Sequence, residues 1–366
     1  MFHLKSLALC AAVVLPTGAF AAPGLDAYAL TAGGNSKFGA NGNPFGCATF
    51  APDSAAKIFS RTFEFGLPTD GAICGVGGAV RSASAAAGAV QVAAPLGVSW
   101  GVSTDPRTFT GNAQARAGFG NLGVRAVSSY TGASDNGTVA GAQAGARQTE
   151  SLTVGGGSGN GIYRQTFTLD GSLFNVGRAD SEIEFGYAAG SGPMLMAFRI
   201  TNQQGGVVGL YANGGYQATL PGMAVTGDLA TGFTVSGSTT FSFDIPIVFG
   251  VAQDVSLSLW AATIPRSNVG LLTPSGSDSS FLSSARLTGI QVFDSNGQAV
   301  SDFTITSGSG TLYGPAGVVA VPEPSALLML CVGLLCLAGL RRRSPQLDRQ
   351  RRPASTTACT VMPKWA

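Results

Sequence analysis

The chain is 366 residues long and nominally basic, with 21 Lys plus Arg against 19 Asp plus Glu, but eight of those cations fall before residue 22 or after residue 340. Between residues 22 and 324, 13 Lys plus Arg face 18 Asp plus Glu, a net charge of −5, so the clustered cations that a phosphate backbone requires are missing and nucleic acid is excluded as a partner. Gly, Ala, Ser and Thr dominate that region and Lys, Glu and Leu at helical spacing are nearly absent, which excludes a helix-rich fold.

At the start of the chain, Lys5 precedes an apolar run over residues 7–15, and Ala19-Phe20-Ala21 supplies small residues at the two positions a signal peptidase reads. Residues 1–21 are therefore expected to be a secretory signal, cut before Ala22 by signal peptidase. His3, the only histidine, leaves with it. The exported chain then holds no Ser-His-Asp or Cys-His pair and no histidine-ligated zinc or copper, leaving carboxylate chemistry or oxygen-ligated calcium as the open options. Of the six cysteines, only Cys47 and Cys74 lie in the exported region ahead of the C-terminal segments. An oxidising compartment favours a disulfide between them. Closing a loop of about 28 residues would contribute about 3–4 kcal/mol, and two unpaired thiols are the alternative.

Residues 22–317 are expected to form the ectodomain, long enough for one large β domain or two smaller ones. Apolar and polar residues alternate with period two over residues 58–65, 162–169, 182–187, 195–201, 239–245, 255–260, 287–293 and 303–306. Such alternation gives each strand one buried and one wet face, so the expected class is all-β, an antiparallel β-sandwich or jelly-roll-like domain. The glycine-rich stretch 155–161 reads as a flexible loop. Residues 83–94 are ambiguous between a short Ala-rich helix, which Gly88 weakens, and a weak strand. Near the end of the domain, Asp294-Ser295-Asn296-Gly297 predicts a hairpin turn, with Val300, Phe303 and Ile305 on the returning strand. A calcium loop begun by Asp294 fails because its twelfth position is Ile305 rather than Glu, and no metal or other cofactor is expected.

Two features carry possible chemistry. Asp180, Glu182 and Glu184 alternate along one predicted strand, which places three carboxylates on one face with neighbours about 7 Å apart. The order is loosely similar to the Glu-x-Asp-x-Glu strand of laminarinase-like jelly-roll glycosidases, and that resemblance would make Glu182 and Glu184 candidates for carboxylate catalysis. Asp180 stands where that pattern has its first Glu, and a solvated strand face is the competing reading. Trp100, Tyr130, Tyr163, Tyr187, Tyr211 and Tyr216 could stack on sugar rings or fill the sandwich and its rims.

The C-terminal segment reads most clearly. In residues 321–325, Val321-Pro322-Glu323-Pro324-Ser325, each proline lacks an N–H and biases its predecessor toward extended backbone, giving an exposed handle that cannot join a following helix. Residues 326–340 hold no charge or proline, and 15 residues at helical rise span about 22 Å against a hydrocarbon core of about 30 Å. Arg341, Arg342 and Arg343 hold the C-terminal side in the cytoplasm, which places the ectodomain outside. These three blocks, within an expected sorting segment of residues 318–343, resemble the PEP-CTERM sorting signal of Gram-negative bacteria, read by the membrane protease-transpeptidases called exosortases. The resemblance implies an exosortase as partner, an inner-membrane intermediate and removal of the helix and arginines, with the mature protein at the cell surface or in the extracellular matrix. A tail of residues 344–366, read as disordered, extends past the basic cluster where such proteins usually stop. The address signals together with the missing catalytic groups point to a structural or adhesive, non-enzymatic role associated with exopolysaccharide. A carbohydrate-binding module and a glycosidase using Glu182 and Glu184 are the competing readings.

Overall fold

A computed structural model describes residues 22–34, 77–102, 105–132, 139–177, 179–190, 192–203, 207–212, 214–228, 231–265 and 275–319. In chain order its strands begin with β1 (Gly24–Gly34), β2 (Gly77–Ala85), β3 (Ala89–Val102), β4 (Asp105–Gly118), β5 (Asn121–Thr131) and β6 (Val139–Gly155). They continue with β7 (Asn160–Val176), β8 (Ala179–Ala189), β9 (Leu195–Gln203), β10 (Val207–Ala212), β11 (Gly215–Gln217) and β12 (Met223–Asp228). Then come β13 (Gly232–Val248), β14 (Ala252–Pro265), β15 (Ser275–Asp294), β16 (Thr304–Ser307), β17 (Tyr313–Gly314) and β18 (Gly317–Val318). No helix among the described residues is long and apolar enough to cross a membrane. The expected signal peptide, transmembrane segment and tail lie outside the described residues.

Two antiparallel sheets pack face to face. The first runs β11-β10-β9-β8-β14-β6-β1-β2, with β16 also on β6; the second runs β12-β13-β7-β15-β5-β4-β3. All of the ladders are antiparallel, so the expected sandwich is what the backbone forms. Several strands are long: β6, β7 and β13 have 17 residues each, which at about 3.3 Å per residue span about 56 Å.

Alternation explains the layering. On β7, Tyr163, Gln165, Phe167, Leu169 and Leu173 turn into the core while Arg164, Thr166 and Thr168 turn outward. On β13, Phe241, Phe243 and Ile245 face the same interior. The rings of Phe167 and Phe185 lie 4.8 Å apart, and Phe185 and Phe198 each approach Phe241 at 5.0 Å. At the other end the same interior is walled by Ala27 and Ala29 of β1, Ala113, Ala115 and Ala117 of β4, and Ala142, Ala144 and Ala146 of β6, all buried. Small hydroxyls bridge the sheets there: Thr31 donates to the Ala94 carbonyl at 3.0 Å and Ser128 to Thr263 at 2.9 Å.

Three local expectations change. Residues 83–94 are neither helix nor one strand; β2 ends at Ala85 and β3 begins at Ala89, with Gly88 at φ +80° in the turn. The glycine stretch 155–161 is not a loose loop but a packed corner that carries the chain from one sheet to the other. A side chain at Gly157 would meet the Phe249 ring at 2.6 Å, and Phe249 N–H donates to the Gly159 carbonyl at 2.9 Å. The turn at Asp294–Gly297 forms, with Gly297 N–H on the Asp294 carbonyl at 3.0 Å and Val300 N–H on the Val292 carbonyl at 2.9 Å. Ile305 does not continue that hairpin. Its strand, β16, crosses to β6 and pairs Ile305 with Val154, because the β15 edge ahead of the turn already receives Pro315 through Ile290 N–H.

Candidate functional site

The carboxylate strand lies where alternation puts it, on the outer face of the first sheet, since Ile183 and Phe185 point into the core. Its side chains are not solvated. Glu184 is 8% exposed and sits opposite Trp260 on β14 and Arg199 on β9, in register across three strands. Arg199 pairs with Glu182, and its Nε lies 4.0 Å from Glu184 Oε2, so one guanidinium serves both carboxylates. Burial pushes the Glu182 carboxyl up to about 7, against the opposing pull of Arg199. On the same face Tyr28, Trp260 and Ala262 form a small apolar cluster separate from the main core.

A second arrangement was not read from the sequence. An open cleft of about 750 Å³ is lined from the second sheet by Arg164, Ser242, Phe243 and Asp244, and from the first by Tyr187 and Tyr211. Arg164 and Asp244 sit directly opposite each other on β7 and β13 and form a two-point fork, Nε to Oδ1 at 2.6 Å and Nη2 to Oδ2 at 2.8 Å. The Tyr187 ring stacks on Phe243 at 4.3 Å, and Tyr211 meets the exposed Tyr216 edge-on at 5.4 Å. A bulge on β9 between Phe185 and Gly186 of its partner leaves Ala197 and Phe198 both buried and shifts Leu195 and Met196 toward the cleft. Glu182 and Glu184 do not line it.

The expected sugar-stacking aromatics divide accordingly. Tyr130 and Tyr163 are buried at 2% and 1% exposure and belong to the interior, whereas Tyr187, Tyr211 and Tyr216 gather at the cleft. The side chain of Trp100, together with Cys47 and Cys74, lies outside the described residues. A third feature also escaped the alternation pattern: Glu150 faces inward at 1% exposure and accepts hydrogen bonds from Ser307 Oγ at 2.7 Å, Ser309 N–H at 2.9 Å and the Tyr313 hydroxyl at 2.7 Å. Burial, reinforced by this carboxylate, raises the Tyr313 phenol well above its usual range. Among the described residues no cluster of His, Cys, Asp or Glu could hold a metal ion.

The described fold ends at Val319, and a family model matches the residues that follow. The model of the PEP-CTERM protein-sorting motif matches residues 320–343. The chain carries a PEP-CTERM sorting signal. A PEP-CTERM signal marks an exported protein that passes through a membrane-anchored intermediate and is processed by an exosortase. Val321, Pro322, Glu323, Pro324, Arg341, Arg342 and Arg343 all fall within the match. No curated protein and no solved structure matches the chain.

Proposed function

We propose that this PEP-CTERM protein is a non-enzymatic component of the cell surface or extracellular matrix of a Gram-negative bacterium, with structural or adhesive work in an exopolysaccharide environment. The sorting motif at residues 320–343, one residue past the described sandwich, is the observation that carries the reading. It is supported by a mature chain without histidine and by carboxylates at Glu182 and Glu184 that are committed to Arg199. The inner membrane is a way-station, and the handle at Val321 to Pro324 is a substrate site before it is an anchor.

The test is fractionation of an exosortase-bearing host that expresses the chain with an epitope after Lys364. The wild type should reach the matrix fraction without the epitope. Changing Glu323 to Ala should leave epitope-bearing protein in the inner membrane. Mature surface protein that keeps the epitope, or wild type that never leaves the inner membrane, would sink the reading.

A further inference from the structure

We propose that the cleft between Arg164, Asp244, Tyr187 and Tyr211 binds a neutral hexose polymer, an inference that deepens the exopolysaccharide reading above. Its volume of about 750 Å³ falls within the roughly 300–1,000 Å³ of ligand clefts. The two kinds of surface that a pyranose presents both find a counterpart here. The ring's apolar C–H face needs a flat, polarisable partner, and Tyr187 and Tyr211 supply two, with the exposed Tyr216 extending the second toward solvent.

The hydroxyl rim needs a donor and an acceptor side by side, and the Arg164–Asp244 fork supplies them. Asp244 engages Nε and Nη2 of Arg164, so the two hydrogens on Nη1 remain for a ligand oxygen. Each Asp244 oxygen takes one of those hydrogen bonds and has a lone pair to spare for a ligand hydroxyl. A vicinal diol can donate to the carboxylate through one oxygen and accept from the guanidinium through the other. Ser242, held by Thr166 at 2.9 Å, adds a further hydroxyl on the same wall.

The charge balance selects among sugars. Arg164 and Asp244 neutralise each other, so a uronic acid or sulfated polymer gains no net attraction and meets a carboxylate at the rim. A neutral chain meets no such opposition. The fork is about 40% exposed on both partners, so its surroundings are wet and the pair is free to exchange water for hydroxyls without unfolding.

The experiment is affinity electrophoresis of the exported protein in native gels holding soluble β-1,3-glucan, hydroxyethyl cellulose or galactomannan, with alginate as the anionic comparison. At least one neutral polymer should retard the wild type, with tenfold or greater loss of apparent affinity in Tyr211→Ala and in Asp244→Ala. Arg125→Ala, which removes a comparable pair with Asp278 elsewhere on the second sheet, should bind like the wild type. Near-ultraviolet circular dichroism identifies any variant that has lost its fold, and for such a variant Asp244→Asn is scored instead. Retardation by alginate alone, by no polymer, or equally in the folded cleft variants overturns the proposal. Matrix localisation of the wild type separates the two readings: wild type that reaches the matrix yet is retarded by no neutral polymer leaves the sorting reading intact while removing the site.

Discussion

Around β7, β8, β9 and β13 the space between the sheets is filled by Phe167, Phe185, Phe198, Phe241 and Phe243, whereas along the middle of β1, β4 and β6 the facing positions are mostly alanine. The backbones register the difference. In the alanine half, Cα atoms of β1 and β4, and of β4 and β6, come within 8 Å of each other at many points although the strands belong to opposite sheets, whereas β9 approaches β7 and β13 that closely at only a few. That is closer than the roughly 10 Å usual between packed sheets. One half therefore gains its stability from large buried rings, and the other from close approach and sheet-bridging hydroxyls such as Thr31 and Ser128. The cleft opens beside the aromatic half, where bulk keeps the sheets apart and Tyr187 can stack on Phe243.

Opposite substitutions should harm the two halves. Phe185→Ala removes a ring that touches both Phe167 and Phe241 and should cost about 3–5 kcal/mol in urea unfolding. A loss under 1 kcal/mol would mean that the aromatic half collapses freely and that the contrast is false. In the alanine half the damaging change is enlargement. Ala144→Leu places three extra carbons between closely spaced sheets and should cost up to about 3 kcal/mol. A stabilised Ala144→Leu variant would show unfilled space where close packing is claimed.

The smallest expected effect concerns the carboxylate face and depends on pH. The carboxyl of Glu182 lies near 7 in the folded chain, above its ordinary 4.5, so the folded state holds a proton that the unfolded state has released. The stability it contributes is complete below about pH 4.5 and is lost as pH rises through about 7. Wild type should be more stable at pH 5 than at pH 7.5 by an amount of order 2 kcal/mol, since one unit is about 1.4 kcal/mol. Glu182→Gln should remove that difference. An unchanged pH profile in the variant would assign the titration to another group.

The aromatic half was legible in the sequence and the alanine half was not, for the same physical reason. Residues 162–169, 182–187, 195–201, 239–245 and 255–260 alternate large apolar with polar side chains, and each lies within an observed strand. β1, β4 and β6 also alternate, but there the buried side chain is the small one: Ala27 and Ala29 flank Tyr28, Ala113, Ala115 and Ala117 flank Gln114 and Arg116, and Ala142 and Ala144 flank Gln143, so no large apolar residue marks the inward face along these stretches. Their burial depends on a partner wall equally poor in bulk, which no single strand reveals. The cleft was hidden differently. Arg164 and Asp244 lie on two recognisable strands, yet only the β7–β13 register brings them opposite each other. Glu150 carries no signal of its own along the sequence, because its partners Ser307, Ser309 and Tyr313 follow more than 150 residues later.

That same Glu150 gives the sandwich a mechanical grain. Gly24 of β1 pairs with Thr149 of β6, and β16 takes up the same edge of β6 from Leu152 to Gly155, so the first and last long-range pairings of the domain share one strand. The sorting motif begins one residue after Val319, and a pull on that end enters through β18, β17 and β16. The short ladder of β16 would unzip rung by rung under such tension, but Ser307, Ser309 and Tyr313 each tie the strap to a buried carboxylate. Beyond the Pro315 contact with β15, tension therefore meets three hydrogen bonds to one buried carboxylate, acting together. A protein tethered from this end would yield by release of the strap at Glu150, with the two sheets still closed behind it.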